Sequence, residues 1–182
     1  MNSEVKMNDR NLHHQSILNE WLEKYEKTLD LIFEQCVIDS FLDIGANTGA
    51  VIEFILSKKS LKKIYAFEPH PEIFGYLSYN LDKYGKNATT FNNAIDGTFK
   101  KVKFGTTEST VGSKISDTGT FEVDAINLEK FVANNNLELP TYFKIDIEGA
   151  EYTFFESTSD EFFKNVHSIF FEFHCNDGIN VL

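Results

Sequence analysis

The chain has 182 residues, 42% of them hydrophobic and 25% charged, and a formal net charge of −11. That balance fits a soluble globular domain with a sizeable core, and it excludes a nucleic-acid partner, whose phosphate backbone needs a basic footprint. The first fifteen residues are polar, without the apolar stretch of a signal peptide, and no run approaches a membrane span. The expected setting is therefore cytoplasmic, with no membrane contact.

Residues 1 to about 14, His13 and His14 included, read as a polar tail. From Ser16 to Cys36, the apolar positions Leu18, Trp21, Leu22, Tyr25, Leu29, Ile32 and Phe33 recur at offsets of three and four. They predict an amphipathic helix that packs on a sheet or covers a ligand's entrance. Cys36 and Cys175 are too few and too far apart to predict a disulfide framework or a metal site. Eighteen phenylalanines are expected to fill the core where other proteins use leucine.

Residues 37–182 read as one domain. Its first strand, over 38–45, runs into a glycine turn ending at Gly49, and a helix follows over 50–59. Such a turn lets a ligand lie against bare backbone at a helix N-terminus. Gly45 and Gly49 accept positive φ, and Asn47 tolerates it better than most side chains do. A second strand, over 63–68, ends on Glu68, nineteen residues beyond Gly49. This is the spacing of a βαβ unit whose acid grips ribose hydroxyls. A nicotinamide site would want glycine at Asn47 and Ala50 as well, and only Gly45 matches. An S-adenosylmethionine site of the form Asp/Glu-x-Gly-x-Gly-x-Gly is met by Asp43, Gly45 and Gly49, with Asn47 the one departure. The glycines therefore favour S-adenosylmethionine.

Pro69 and Pro71 stiffen the exit into a helix over about 71–85 that closes near Gly85. A third strand is predicted over Thr89 to Ile95, an added strand over Phe99 to Gly105, and a polar loop to about Gly119. Phe121 to Ile126 is extended, and Asn127 is placed to cap a short helix. A fourth strand covers Thr141 to Ile147. Helical pieces follow at Gly149 to Glu156 and Asp160 to Lys164, and a fifth strand covers Ser168 to His174. The alternation predicts a Rossmann-like α/β fold, its sheet largely parallel with helices on both faces.

Four blocks in order resemble the FkbM family of S-adenosylmethionine-dependent methyltransferases. They are Leu42–Gly49, Ala66–Pro71, Asn93-Ala94-Ile95, and Lys144-Ile145-Asp146-Ile147-Glu148-Gly149-Ala150-Glu151. Phe171-Glu172-Phe173-His174 is also similar. The resemblance covers about residues 37–176. It implies a class I methyltransferase fold and methyl transfer to a hydroxyl oxygen on a glycan or secondary metabolite. It further implies that Asp43, Gly45, Asn47 and Gly49 cradle the cofactor, that Glu68, followed by Pro69, holds its ribose, and that Asn93 and Ala94 lie by the adenine. Asn127 stands where many members have Asp. The class usually adds an antiparallel strand pair after strand five, for which eight residues do not suffice. The chain is accordingly expected to be truncated, and the Phe-rich fifth strand, left as an edge, to support self-association.

An alcohol acceptor must lose its proton, so a carboxylate or histidine is expected near the transferred methyl. Asp146 falls at a strand's carboxyl end, where open α/β sheets bind ligands. Strand alternation would put Lys144, Asp146 and Glu148 on one face. Glu148 and His174 complete the catalytic candidates, while Glu151 is an acid near a helix start. No metal is assigned, although Asp146, Glu172 and His174 would offer a ligand set. Two rival readings stand beside the methyltransferase: a nicotinamide oxidoreductase, and a truncated, non-catalytic domain that binds a cofactor or a partner.

Overall fold

The computed structural model describes residues 3–35, 39–98, 100–105, 114–115 and 121–174. Its frame is a five-stranded parallel sheet of order β3-β2-β1-β8-β9. The strands are β1 (Ser40–Ile44), β2 (Lys63–Phe67), β3 (Ala88–Phe91), β8 (Tyr142–Ile145) and β9 (Ser168–Phe171).

Strand alternation sends neighbouring side chains to opposite faces. Phe41, Ile64, Ala66 and Tyr142 pack on one side against α2 (Ala50–Lys58) and α3 (Pro71–Leu81), through residues such as Ile52, Ile55, Leu77 and Leu81. Leu42, Ile44, Tyr65, Phe67, Phe143 and Ile145 pack on the other. They meet Leu128 of α4 (Leu128–Asn134), Phe154 of α5 (Glu151–Glu156) and Phe162 of α6 (Asp160–Phe163). Helices thus cover both faces, as a parallel sheet requires, and the expected α/β class is present. Phenylalanine fills this core as the composition predicts: Phe67 stacks on Phe91 with centroids 4.7 Å apart, and both meet the edge of Phe131.

Several elements depart from the sequence reading, among them the fifth strand, which ends at Phe171 rather than His174. The N-terminal helix α1 (Ser3–Gln35) begins well before Ser16, so the stretch read as a tail is helical from Ser3. His14 helps to hold it: Nδ1 lies 3.0 Å from the Thr48 hydroxyl and Nε2 2.8 Å from Glu53. Leu18, Leu22 and Tyr25 pack on the α2 side of the sheet, as their spacing predicts.

The third strand does not run unbroken to Ile95. It stops at Phe91, and β4 (Ala94–Ile95) pairs instead with β7 (Phe121–Ile126) in a second sheet of order β4-β7-β5-β6. That sheet includes β5 (Lys100–Gly105), antiparallel to β7, and the short β6 (Lys114–Ile115). The break has a local cause, because the Asn92 side-chain amide donates to the carbonyls of Glu68 and Pro69.

The fourth strand also ends early, at Ile145, and the chain turns through Glu148 (φ 55) and Gly149 (φ 104). The predicted common face of Lys144, Asp146 and Glu148 therefore breaks after the strand's end. The Asn127 cap is present, its Oδ1 accepting from the Lys130 amide.

Among the described residues β9 is the sheet's edge on that side, with Phe171 and Phe173 about half exposed. The expectations for both cysteines, for a strand pair beyond strand five and for most of the loop after Gly105 fall outside the described residues. Among the described residues no helix is long and apolar enough to cross a membrane.

Candidate active site

The carboxyl ends of β1, β2 and β8 open onto one cavity. Gly45, Ala46 and Asn47 line it after β1, Glu68 and Pro69 after β2, and Asn93, Ala94 and Ile95 beyond β3. Lys144, Asp146, Ile147 and Glu148 contribute from the β8 side, and Glu172 and His174 from beyond β9. The α1 residues Ile17, Glu20, Lys24 and Tyr25 close another wall, and Phe104 of β5 reaches in from the second sheet. Nine of the eleven residues singled out from sequence thus share one cavity. Asp43 and Gly49 do not line it.

Asp43 is fully buried beneath the turn, its Oδ1 3.3 Å from Lys144 Nζ. Lys144, also buried, donates to the Gly45 carbonyl at 2.7 Å and lies 3.4 Å from Asp146. Burial alone would lower the pKa of this lysine, but the Asp43 and Asp146 carboxylates outweigh it and hold it above the ordinary value. Gly49 is the N-cap of α2, with φ 83, and faces Leu77 and Leu81. Gly45 has φ 81, and a Cβ there would sit 1.7 Å from the Asp146 carbonyl oxygen. Two loops of the site touch at this point with no room for a side chain. Asn47 adopts the predicted positive φ, 48°, and its buried Oδ1 has no protein partner among the described residues.

Glu68 faces this turn. Its Oε2 accepts from the Asn47 amide at 2.9 Å and Oε1 from the His70 amide at 2.8 Å. Burial pushes its carboxyl up to about 7, against the pull of the two amides. Each oxygen keeps a lone pair for a further donor.

In the same cavity Asp146, Glu148 and His174 converge, each offering one donor atom within 4.8 Å of the others. His174 Nε2 lies 3.6 Å from Glu148 Oε2, and Nδ1 lies 2.9 Å from Glu151 Oε1. Glu151 is 1% exposed and also accepts the Ile147 and Gly149 amides, so one buried carboxylate fixes both the loop and the imidazole. Burial would lower the His174 pKa, but Glu151, Glu148 and Asp146 together raise it. Burial raises the Glu148 carboxyl, and His174 opposes that shift.

Glu172 is not in this cluster, contrary to the ligand set drawn from sequence. It accepts from the Tyr25 hydroxyl at 2.9 Å and pairs with Lys24 at 3.4 Å, tying α1 to the site. The sequence reading missed Tyr25 and Lys24 as wall residues and Lys144 as a loop anchor. For Lys144 a signal was present, a lysine inside an otherwise apolar strand. Glu151 was noticed only as an acid near a helix start.

A parallel α/β sheet with a glycine turn after its first central strand, an acid after the next and carboxylates after the fourth is the layout of an α/β enzyme domain whose ligand cavity lies at the strands' carboxyl ends. Residues 43–178 match the methyltransferase FkbM domain, and the chain belongs to that family. It is 22% identical over 153 residues to the hexuronic acid methyltransferase AglP of Haloferax volcanii, covering 82% of this chain and 62% of the relative. The chain thus spans less than two thirds of that relative's length. The crystal structure of methyltransferase FkbM from Methylobacillus flagellatus is similar with a TM-score of 0.49 and 17% identity, over 66% of this chain and 28% of that one.

Proposed function

We propose that the chain is an S-adenosylmethionine-dependent O-methyltransferase acting on a hydroxyl of a glycan or related small molecule. The observation that carries the cofactor reading is the Glu68 carboxylate bonded to the Asn47 amide across the mouth of the glycine turn. A ribose diol needs acceptors at that position, and the unpartnered Asn47 Oδ1 supplies another for a donor of the same ligand. The acidic wall suits a cationic cofactor, with Glu20, Asp146, Glu148 and Glu172 set against Lys24 and Lys144. The glycan acceptor is suggested by the relative that methylates a hexuronic acid.

S-adenosylmethionine, when bound, supplies a methyl made electrophilic by its sulfonium. The chain's own residues have two tasks. One is to hold the acceptor oxygen in line with that methyl, and such alignment supplies ~7–11 kcal/mol. The other is to take the hydroxyl proton as the oxygen–carbon bond forms and the carbon–sulfur pair stays on sulfur. Proton removal is worth ~10²–10⁴-fold, about 3–5 kcal/mol, so positioning outweighs it. Asp146, with Glu148 and His174 beside it, is the residue to which we assign that proton.

The test is calorimetry with S-adenosylmethionine, S-adenosylhomocysteine and NAD, followed by labelled methyl transfer to uronic acids, neutral sugars and polyketide alcohols. Binding of the first two and label on a hydroxyl are expected. Preference for NAD would overturn the cofactor, and binding without transfer to any alcohol would overturn the reaction.

A further inference from the structure

We infer that Glu172 and Lys24, with Tyr25 holding the carboxylate in place, form a subsite that grips the hydroxyl beside the one to be methylated. The acceptor class this names is a vicinal diol on a sugar-like ring, as opposed to an isolated alcohol. The assignment rests on the methyltransferase reading above, in which Asp146 takes the proton.

The sheet register brings the parts together. Ile145 of β8 pairs with Phe171 of β9, and the Glu172 amide donates to the Ile145 carbonyl at 3.0 Å. Asp146 and Glu172 therefore leave the sheet side by side, on strands about 4.8 Å apart, and both line the cavity. A hydroxyl one carbon along from the one at Asp146 falls within reach of Glu172.

The third part comes from α1. Ile17, Glu20 and Lys24 recur at offsets of three and four, which places them on one helix face, and all line the same cavity. Tyr25 packs edge-on against Phe170 with centroids 4.9 Å apart, and its hydroxyl donates to Glu172 Oε2 at 2.9 Å. Burial and the Glu172 carboxylate raise the Tyr25 pKa, so the phenol keeps the proton it donates. Tyr25 thereby fixes the orientation of the carboxylate.

Lys24 Nζ stands 3.4 Å from Glu172 Oε1, with the lysine side chain 51% exposed and the glutamate 31%. That is longer than a close N–H···O bond, and so exposed a pair contributes little by itself. Tyr25 already ties α1 to the site. What the pair adds is a charged acceptor and a charged donor, adjacent and open to the cavity.

A neutral polyol uses both. A sugar hydroxyl donates one hydrogen and accepts at its oxygen, so it can give to Glu172 Oε1 while taking from the Lys24 ammonium. The rest of the wall disfavours charged acceptors. Glu20, Asp146, Glu148 and Glu172 oppose an anion, and Lys24 together with a cationic cofactor opposes a cation. The other lysine of the cavity, Lys144, is buried between Asp43 and Asp146 and bonded to the Gly45 carbonyl. An isolated alcohol would leave the Lys24–Glu172 pair to water and gain nothing from it.

The probes are the methyl glycosides of glucose, galactose, mannose and glucuronic acid, their monodeoxy analogues, and cyclohexanol. Binding to the full chain in the presence of S-adenosylhomocysteine is followed by saturation-transfer NMR, and methyl transfer with labelled S-adenosylmethionine. At least one glycoside should bind and be methylated. Removing the hydroxyl beside the methylated position should lower kcat/KM ~10–100-fold, and removing a remote one should not. In Lys24→Met and Glu172→Gln the loss should fall in acceptor KM rather than kcat, and the adjacent deoxy analogue should carry little further penalty because the contact is already gone. Tyr25→Phe should raise acceptor KM by less than Glu172→Gln does. Lys24 is exposed on a helix, so Lys24→Met decides the matter even if a Glu172 variant fails to fold.

No glycoside binding, cyclohexanol methylated as efficiently as the glycosides, or an adjacent-deoxy penalty that survives Lys24→Met would overturn the subsite. So would a preference for the glucuronide that vanishes in Lys24→Met, since Lys24 would then serve a carboxylate. The two proposals separate on the same samples. Glycoside binding that weakens ~10-fold in Lys24→Met, without methyl transfer, keeps the polyol subsite and sinks the methyltransferase reading. Transfer to alcohols regardless of neighbouring hydroxyls sinks the subsite alone.

Discussion

Lys144 Nζ donates to the Gly45 carbonyl at 2.7 Å while lying 3.3 Å from Asp43, so a lysine buried in β8 fastens the turn that follows β1. Asp43 is wholly enclosed, and its nearest compensating charge is this ammonium. Asp43, the acid that precedes the glycine turn, thus acts from below, through Lys144, on the backbone that lines the cavity.

Replacing Lys144 by Met should therefore cost far more than a surface ion pair. Breaking a buried pair from one side leaves an uncompensated charge, at ~3–5 kcal/mol. Adding Asp43→Asn to Lys144→Met removes that charge, and the double variant should be more stable than the single one. Urea denaturation of the three proteins measures this. A single variant within 1 kcal/mol of wild type, by the ~0–1 kcal/mol standard of exposed pairs, would show that the pair does not hold the turn.

Glu68 gives a pH signature. Its folded carboxyl titrates at about 7, above the unfolded value of 4.5, because burial disfavours the charge. A raised acid contributes stability below the unfolded pKa. That contribution is lost as pH rises from 4.5 and is gone above about 7. At ~1.4 kcal/mol per pH unit the window amounts to about 3 kcal/mol. Glu68→Gln does not ionise, so its stability relative to wild type should improve steadily from pH 4.5 to 7 and level off beyond. A constant offset from the altered amide contacts does not affect that slope. The same variant should bind S-adenosylmethionine ~5–150-fold more weakly, since buried hydroxyls losing a charged acceptor cost ~1–3 kcal/mol. A pH-independent difference would mean Glu68 is solvated in the folded chain.

Asp146→Asn is nearly isosteric and keeps an oxygen for Lys144, 3.4 Å away. If Asp146 serves the acceptor end of the cavity, turnover should fall ~10²-fold or more while S-adenosylmethionine affinity changes little. Steady-state kinetics beside calorimetry reads both. Equal losses in the two would assign Asp146 to cofactor binding, and no loss in either would make it structural.

What was legible in the sequence was whatever depends on short-range pattern. Leu42, Ile44, Phe67 and Phe143 fall on the predicted strands, Asn127 caps its helix, and Asn47 takes positive φ. The glycine turn and Glu68 were visible because their spacing reflects one βαβ unit. The misses are non-local. Thr89 to Ile95 looks like one strand, and only the Asn92 amide reaching Glu68 and Pro69 shows why pairing switches to β7. The helical start of α1 is invisible to periodicity because its residues are polar. His14 is tied to Thr48 and Glu53, thirty-four and thirty-nine residues away. Glu172 was grouped with Asp146 and His174 as a ligand set, yet the strand ends at Phe171 and Tyr25 claims the carboxylate.

Two glycines should respond with opposite sign. Gly45 has φ 81, and an added Cβ would stand 1.7 Å from the Asp146 carbonyl oxygen, which belongs to backbone and has no rotamer to move. The β1 and β8 loops would have to part, taking with them the Lys144 bond to the Gly45 carbonyl and the placement of Asp146. Gly45→Ala should therefore abolish S-adenosylmethionine binding and lower stability by several kcal/mol, beyond the ~1–3 kcal/mol of backbone strain alone. Gly75 lies within α3, is exposed, and would meet nothing within 4 Å. There alanine restricts the unfolded chain and favours the helix, so Gly75→Ala should stabilise by ~0.5–1 kcal/mol and leave cofactor affinity as it was. Thermal denaturation and calorimetry on the pair decide it. A Gly45→Ala protein that folds and binds normally would mean that the two loops do not meet at this point.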